Sequence, residues 1–163
     1  GVIESGEEAL LAVFRSDEFV RVKQIFIEND DGEDVEDNRR IAEEAVAEYR
    51  GGVDFDTLIG RYSEDFSMPS EGYYFTRGEM IDEFETAAFS LADGEVGDVV
   101  ESADGFHILL RLPKEGDYIT AHFEELKSQY QNAHFYAMID ERADRLSVGE
   151  ADYVRSLKAE EIR

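Results

Sequence analysis

Apolar and polar residues alternate along FVRVKQIFIE at 19–28. Val20, Val22, Gln24 and Phe26 fall on one face, Arg21, Lys23, Ile25 and Ile27 on the other. A two-residue period predicts a strand. From Val35 to Arg50 the period lengthens: Ile41, Ala42, Ala45, Val46 and Tyr49 recur at helical spacing, and Gly51-Gly52 supplies the left-handed residue that stops the helix. A second helix follows, with Asp54 as N-cap and Phe55, Leu58, Ile59 and Tyr62 as its apolar stripe. SEDFSMPSEG reads as a loop broken by Pro69 and Gly72, YYFT as a short strand, and RGEM as the turn into a third helix. Along one side of that helix run Met80, Phe84, Ala87, Ala88 and Leu91. A hairpin closes the unit, with Val99 and Val100 in one arm, ADG at the turn and FHILLRLP in the other.

Before this unit, Ser5 and Glu8 form a capping-box pattern for a short helix carrying Leu10, Val13 and Phe14. After it, Ile119, Phe123, Leu126, Tyr130, Ala133 and Ala137 step by alternating threes and fours, which predicts one long helix reaching about Leu146. Its seam suits either packing against the N-terminal helix or a homodimer through the C-terminal helix. The tail at 149–163 reads as a short strand or a frayed end. The order strand, helix, helix, strand, helix, strand, strand implies an α+β domain around a small, largely antiparallel sheet. The expected division is an N-terminal helix at 1–19, the α+β domain at 20–115, and a long helix with tail at 116–163.

The length of 163 residues suffices for a buried core. There is no Cys, which removes disulfides, thiolate metal sites and Cys nucleophiles. No apolar run is long enough for a membrane span, and no signal peptide precedes Gly1, so the chain reads as a mature or trimmed piece. Forty acidic against sixteen basic residues give a net charge of -24, a field that repels nucleic acid and anionic membranes but tolerates neutral or basic polypeptides. The acidic run IENDDGEDVEDN at 27–38 is no calcium loop: with Gly32 as the turn glycine, Ile27 and Asn38 stand where Asp and Glu are needed. A solvated loop is the expectation. No G-x-S-x-G occurs, and His107, His122 and His134 lack metal-ligand spacing.

In the last strand, Phe106, Ile108, Leu110 and Leu112 share one face and leave His107 with Leu109 and Arg111 on the other. By itself His107 is either a satisfied core residue or part of a site. Likewise Met80 and Phe84 read as core or pocket, and Asp65 as a loop carboxylate, a helix-end cap or a functional acid.

The run DFDTLIGRYSED, the FTRGEM turn, FETAAFSL with GEVG, and the closing GFHILLR arrive in an order that resembles the parvulin family of peptidyl-prolyl cis-trans isomerases. The likeness covers roughly residues 20–113. It implies a parvulin-like (FKBP-like) fold with a small four-stranded sheet, and flanking helices like those of extracytoplasmic bacterial foldases, where a parvulin domain is inserted in a helical chaperone domain. It implies as well a site in the periplasm or on the cell surface, and unfolded or nascent secreted polypeptides containing proline as substrates. By position it assigns His107 to the second family histidine, Asp65 to a Cys-or-Asp position, and Met80, Phe84 and Phe75 to the proline pocket. Gln24 stands where the first family histidine belongs. The loop before β-type YYFT is shorter than usual, so Tyr73 or Tyr74 is expected in place of the pocket leucine.

Rotation about an X-Pro bond faces a barrier of about 20 kcal/mol because the twisting amide loses resonance. No bond breaks, so neither nucleophile nor cofactor is needed. What helps is an apolar grip on the ring, exclusion of water, and polar groups matched to the twisted amide. Met80, Phe84 and Phe75 are assigned the grip, and Asp65, His107 and Gln24 the polar floor. The competing expectation is a catalytically weak, peptide-holding chaperone module, favoured by Gln24 and the short loop.

Overall fold

The computed structural model describes residues 2–32 and 34–144; the 149–163 tail lies outside them. Four strands, β1 (Phe19–Glu28), β2 (Tyr73–Thr76), β3 (Val100–Glu101) and β4 (Gly105–Leu112), form one sheet in the order β2-β1-β4-β3, antiparallel throughout. Six helices are described: α1 (Val2–Arg15), α2 (Val35–Arg50), α3 (Phe55–Tyr62), α4 (Asp82–Ser90), α5 (Gly116–Ala121) and α6 (Phe123–Asp144). The fold is therefore α+β, as the residue pattern implies.

The alternation in β1 is used on both faces. Ile25 and Ile27 join Phe106 and Ile108 of β4 beneath α2 and α3, with Ala42, Ala45, Phe55 and Leu58 closing that core. Val20 and Val22 join Phe75 and Leu109 on the other face, under Phe84 and Ala88 of α4. A third cluster gathers Phe14 of α1, Phe19, Tyr74, Ile119 of α5 and Leu126 of α6. Helix starts follow local chemistry: Asp34 caps α2 through Glu36 N–H, and Asp54 caps α3 through Thr57 N–H.

Three expectations are corrected. Helix α1 is already helical from Val2, so Ser5 lies inside it and not at its N-cap. Met80 and Leu91 flank α4, which runs only from Asp82 to Ser90. The long C-terminal helix is two helices. The run breaks at His122, whose ring turns back to the Tyr118 carbonyl at 3.0 Å and stacks on the Tyr118 ring with centroids 4.0 Å apart. The seam residues Ile119, Phe123, Leu126 and Tyr130 nevertheless face the third cluster. Phe14 meets Phe123 and Tyr130 edge-on, both at 6.0 Å, so the seam is occupied by α1 over this stretch.

Where the chain passes from α1 into β1 and out of β4, Lys114 ties both ends together. Its ammonium donates to the backbone carbonyls of Ser16 and Phe19, the latter at 2.7 Å. Arg21, on β1, donates to the carbonyls of Glu71 and Pro113 and to the Glu115 carboxylate, adding a second clasp nearby.

Candidate active site

Strands β1 and β4 bring Gln24 and His107 to the same sheet face. They are diagonal neighbours, not opposed ones: Gln24 pairs with Leu109, and His107 pairs with Phe26. The diagonal is still within side-chain reach, and Gln24 Oε1 lies 2.9 Å from His107 Nδ1. At its other end Gln24 Nε2 donates to Asp65 Oδ2 at 2.6 Å. The Tyr73 hydroxyl donates to the same oxygen at 2.7 Å, and Asp65 Oδ1 accepts from the backbone and hydroxyl of Ser67. The Ser102 hydroxyl stands 2.9 Å from His107 Nε2.

These contacts fix the protons. An ionised carboxylate only accepts, so the Gln24 group facing Asp65 must be its NH2 and the group facing His107 its oxygen. His107 then carries its proton on Nδ1, and the neutral ring accepts at Nε2 from Ser102, whose hydroxyl lies closer to it than to its other acceptor, the Gly105 carbonyl at 3.3 Å. The result is one directed chain, Ser102 to His107 to Gln24 to Asp65, with Tyr73 entering from the far side. Burial by itself would raise the Asp65 carboxyl, but hydrogen bonds from Tyr73, Gln24 and Ser67 outweigh it and hold the group below its ordinary value. The Tyr73 hydroxyl is pushed up to about 12, chiefly by burial, with the Asp65 contact adding to it against an opposing hydrogen bond from Ser67. Burial keeps His107 below its ordinary value of 6.5, against the pull of Asp104, Glu83 and Asp65.

Aromatic rings hold the imidazole still. Phe26 stacks on it with centroids 4.8 Å apart, and Phe84 meets it edge-on at 5.7 Å. Phe84 in turn leans on Phe75 at 5.7 Å. Phe84 is only 3% exposed: of the two readings open to it, core or pocket, the ring is core, and it meets the network at His107. Phe75 is fully buried against it. Met80 is half-buried beside this cluster. Its turn is set by Glu85 of α4, whose Oε1 accepts from the backbone N–H groups of Gly78, Glu79 and Met80 at 2.7, 2.9 and 3.0 Å.

Of the two tyrosines expected to replace the pocket leucine, Tyr73 faces the site. Tyr74 does not. Successive strand residues point to opposite faces, and Tyr74 sits in the third cluster, stacked on Tyr118 with centroids 4.5 Å apart.

Beyond β2 the outer side of β1 has no strand partner, and the 63–72 loop serves instead. Gln24 N–H reaches the Met68 sulfur at 3.3 Å, Phe26 N–H the Ser63 hydroxyl, and Glu28 N–H the Glu64 carboxylate. Gly72 ends that loop with φ +85, and a Cβ there would meet the Val22 carbonyl oxygen. Sequence reasoning missed Ser102, Ser67 and Met68, because each is recruited by folding across a turn and not by any residue period. Next to Asp65 in the same loop, the Phe66 ring is 92% exposed.

A match to the PPIC-type PPIase domain model spans residues 19–112, more than half of the chain. The chain belongs to the parvulin-type peptidyl-prolyl isomerase family. Among curated relatives, foldase protein PrsA of Oceanobacillus iheyensis is 31% identical over 144 residues, covering 85% of this chain and 45% of the relative. PrsA of Bacillus subtilis is 34% identical over 95 residues, covering 56% and 32%. The chain thus spans less than half the length of these relatives. Among solved structures, the crystal structure of a PpiC-type peptidyl-prolyl cis-trans isomerase domain has a TM-score of 0.51 at 25% identity, covering 61% of this chain and 95% of that one. Within this parvulin Gln24 and His107 lie near the two ends of the matched span, joined across the β1–β4 pairing, and Asp65 lies near its middle.

Proposed function

We propose that residues 19–113 lower the barrier to rotation about X-Pro bonds in unfolded or secreted polypeptides, within an extracytoplasmic foldase. The observation that carries this reading is the directed hydrogen-bond chain Ser102–His107–Gln24–Asp65–Tyr73 running beside Met80 and Phe84. Met80 and the Phe84 edge grip the proline ring. Asp65 is the charged group of the floor: a planar amide places negative charge on its carbonyl oxygen, a neighbouring carboxylate disfavours that form, and twisting relieves it. His107 and Gln24 orient Asp65 and shuttle no proton, which is consistent with a neutral ring clamped between Phe26 and Phe84.

We read α1 and the α5–α6 pair as pieces of one helical chaperone module, supported by the Phe14, Phe123 and Tyr130 contacts. A homodimer through the C-terminal helix would have to use the stretch beyond Tyr130.

A protease-coupled assay on a short proline peptide tests the function. Asp65→Ala and His107→Ala are expected to lower kcat at least tenfold with little change in KM, the pattern of groups used only in the transition state. Met80→Ala is expected to raise KM. Wild-type turnover in both Asp65→Ala and His107→Ala would overturn the assignment. Proline-peptide binding without any turnover would instead establish the peptide-holding reading.

A further inference from the structure

A groove of about 290 Å³ leaves the proposed proline site and crosses the outer edge of β2. It begins at Met80 and Tyr73, both walls of the site, and ends at Tyr118 of α5 with Glu125 and Leu126 of α6. Its two charged residues, Glu79 and Glu125, are both acidic. Glu79 is already engaged by the backbone and hydroxyl of Thr76, whereas Glu125 is exposed.

The edge of β2 itself is closed to strand addition. Tyr73 and Phe75 turn their backbone toward β1, so Tyr74 and Thr76 carry the outward groups. Gln129 of α6 donates to the Tyr74 carbonyl at 2.6 Å, and the Thr76 N–H is taken by Glu79. A bound chain cannot pair along this edge. It can pass over it, through the groove.

Resting on the isomerase reading above, we infer that this groove holds one extended flank of the substrate polypeptide, of neutral to basic composition. The sheet and the helical segment then grip a single chain on either side of the edge. Continuity with the proline site names the occupant, and the acidic lining names its charge.

Peptides sharing one proline core test this, each extended at its N- or C-terminal end with Gly-Lys-Gly-Lys or Gly-Glu-Gly-Glu. Turnover is measured by the coupled assay and binding by anisotropy of a labelled copy, at low salt. The Lys extension is expected to be favoured over the Glu extension about fivefold, the scale of an exposed ion pair, and at one end only. Glu125→Lys is expected to abolish that preference and leave the unextended peptide unaffected. Glu43→Lys on α2, an equal charge change at an exposed position outside the groove, is expected to preserve it. A preference equal at both ends, or equally weakened by both variants, reports only the overall negative field and overturns the proposal, as does one indifferent to Glu125→Lys. Loss of turnover on every peptide with flank-dependent binding intact would overturn the isomerase reading and leave the groove standing.

Discussion

Gln24 has an acceptor facing His107 and a donor facing Asp65, and both are satisfied. A neutral imidazole offers the same pair, one bare nitrogen and one N–H. Gln24→His is therefore expected to keep turnover equal or raise it, with a flat profile between about pH 6 and 8. Gln24→Leu leaves the His107 N–H and an Asp65 lone pair without partners. We expect it to destabilise the domain by about 1–3 kcal/mol in urea unfolding and to lower kcat. Phe84→Ala is expected to cost about 3–5 kcal/mol as a buried ring, so Phe84→Leu is the better probe of proline recognition, read as a rise in KM at near-normal stability. At this scale the meeting of His107, Asp65 and Gln24 was legible in the sequence because each occupies a fixed place in a strand or a motif. The sequence did not disclose the enclosure of Phe84, which depends on Phe75 packing against it and on the cluster the two share with Val20, Val22 and Leu109. Nor did it disclose which tyrosine faces inward; strand parity decided that, and a four-residue strand with two adjacent tyrosines leaves parity open until its partner is known.

The strands and helices of the sheet domain follow the residue periods closely because both faces of β1 and β4 are buried, so a register slip would exchange two complete cores. The C-terminal helices escaped because a seam of apolar residues continues across a break as readily as through a helix. The His122 turn that interrupts it is a local contact with Tyr118. Helix α4 shows how an element reaches beyond itself, since its Glu85 organises the Gly78–Met80 turn. Glu85→Ala takes the shared acceptor from three part-buried N–H groups and is expected to cost about 1–3 kcal/mol, with KM rising as Met80 loses its place. Equal KM in a folded Glu85→Ala variant would show that Met80 is positioned without it.

For the whole molecule, buried His107 and half-buried Asp65 tilt stability the same way with pH. The folded pKa of His107 lies below 6.5, so as pH falls the unfolded chain takes up the proton first. Stability owed to the neutral ring is complete above that value and drains away toward the folded pKa. Asp65 is depressed, so its share is present above the ordinary carboxylate value of 3.8 and is lost as pH falls through the folded one. Urea midpoints are expected to fall between about pH 7.5 and 5.5, and His107→Gln is expected to flatten that slope. A net charge of -24 acts in the opposite sense only where carboxylates begin to protonate, below this window. The clasp of Lys114 on Ser16 and Phe19 has a different consequence. Seen from the helices, the whole sheet domain is a single excursion that returns to its starting point. An excursion whose feet already touch can be cut out and the gap bridged by a few glycines, with little closure entropy to overcome. Joining Ser16 to Glu115 in that way should leave Phe14 of α1 against Phe123 and Tyr130, a stump that exposes the places of Phe19 and Tyr74 in the third cluster.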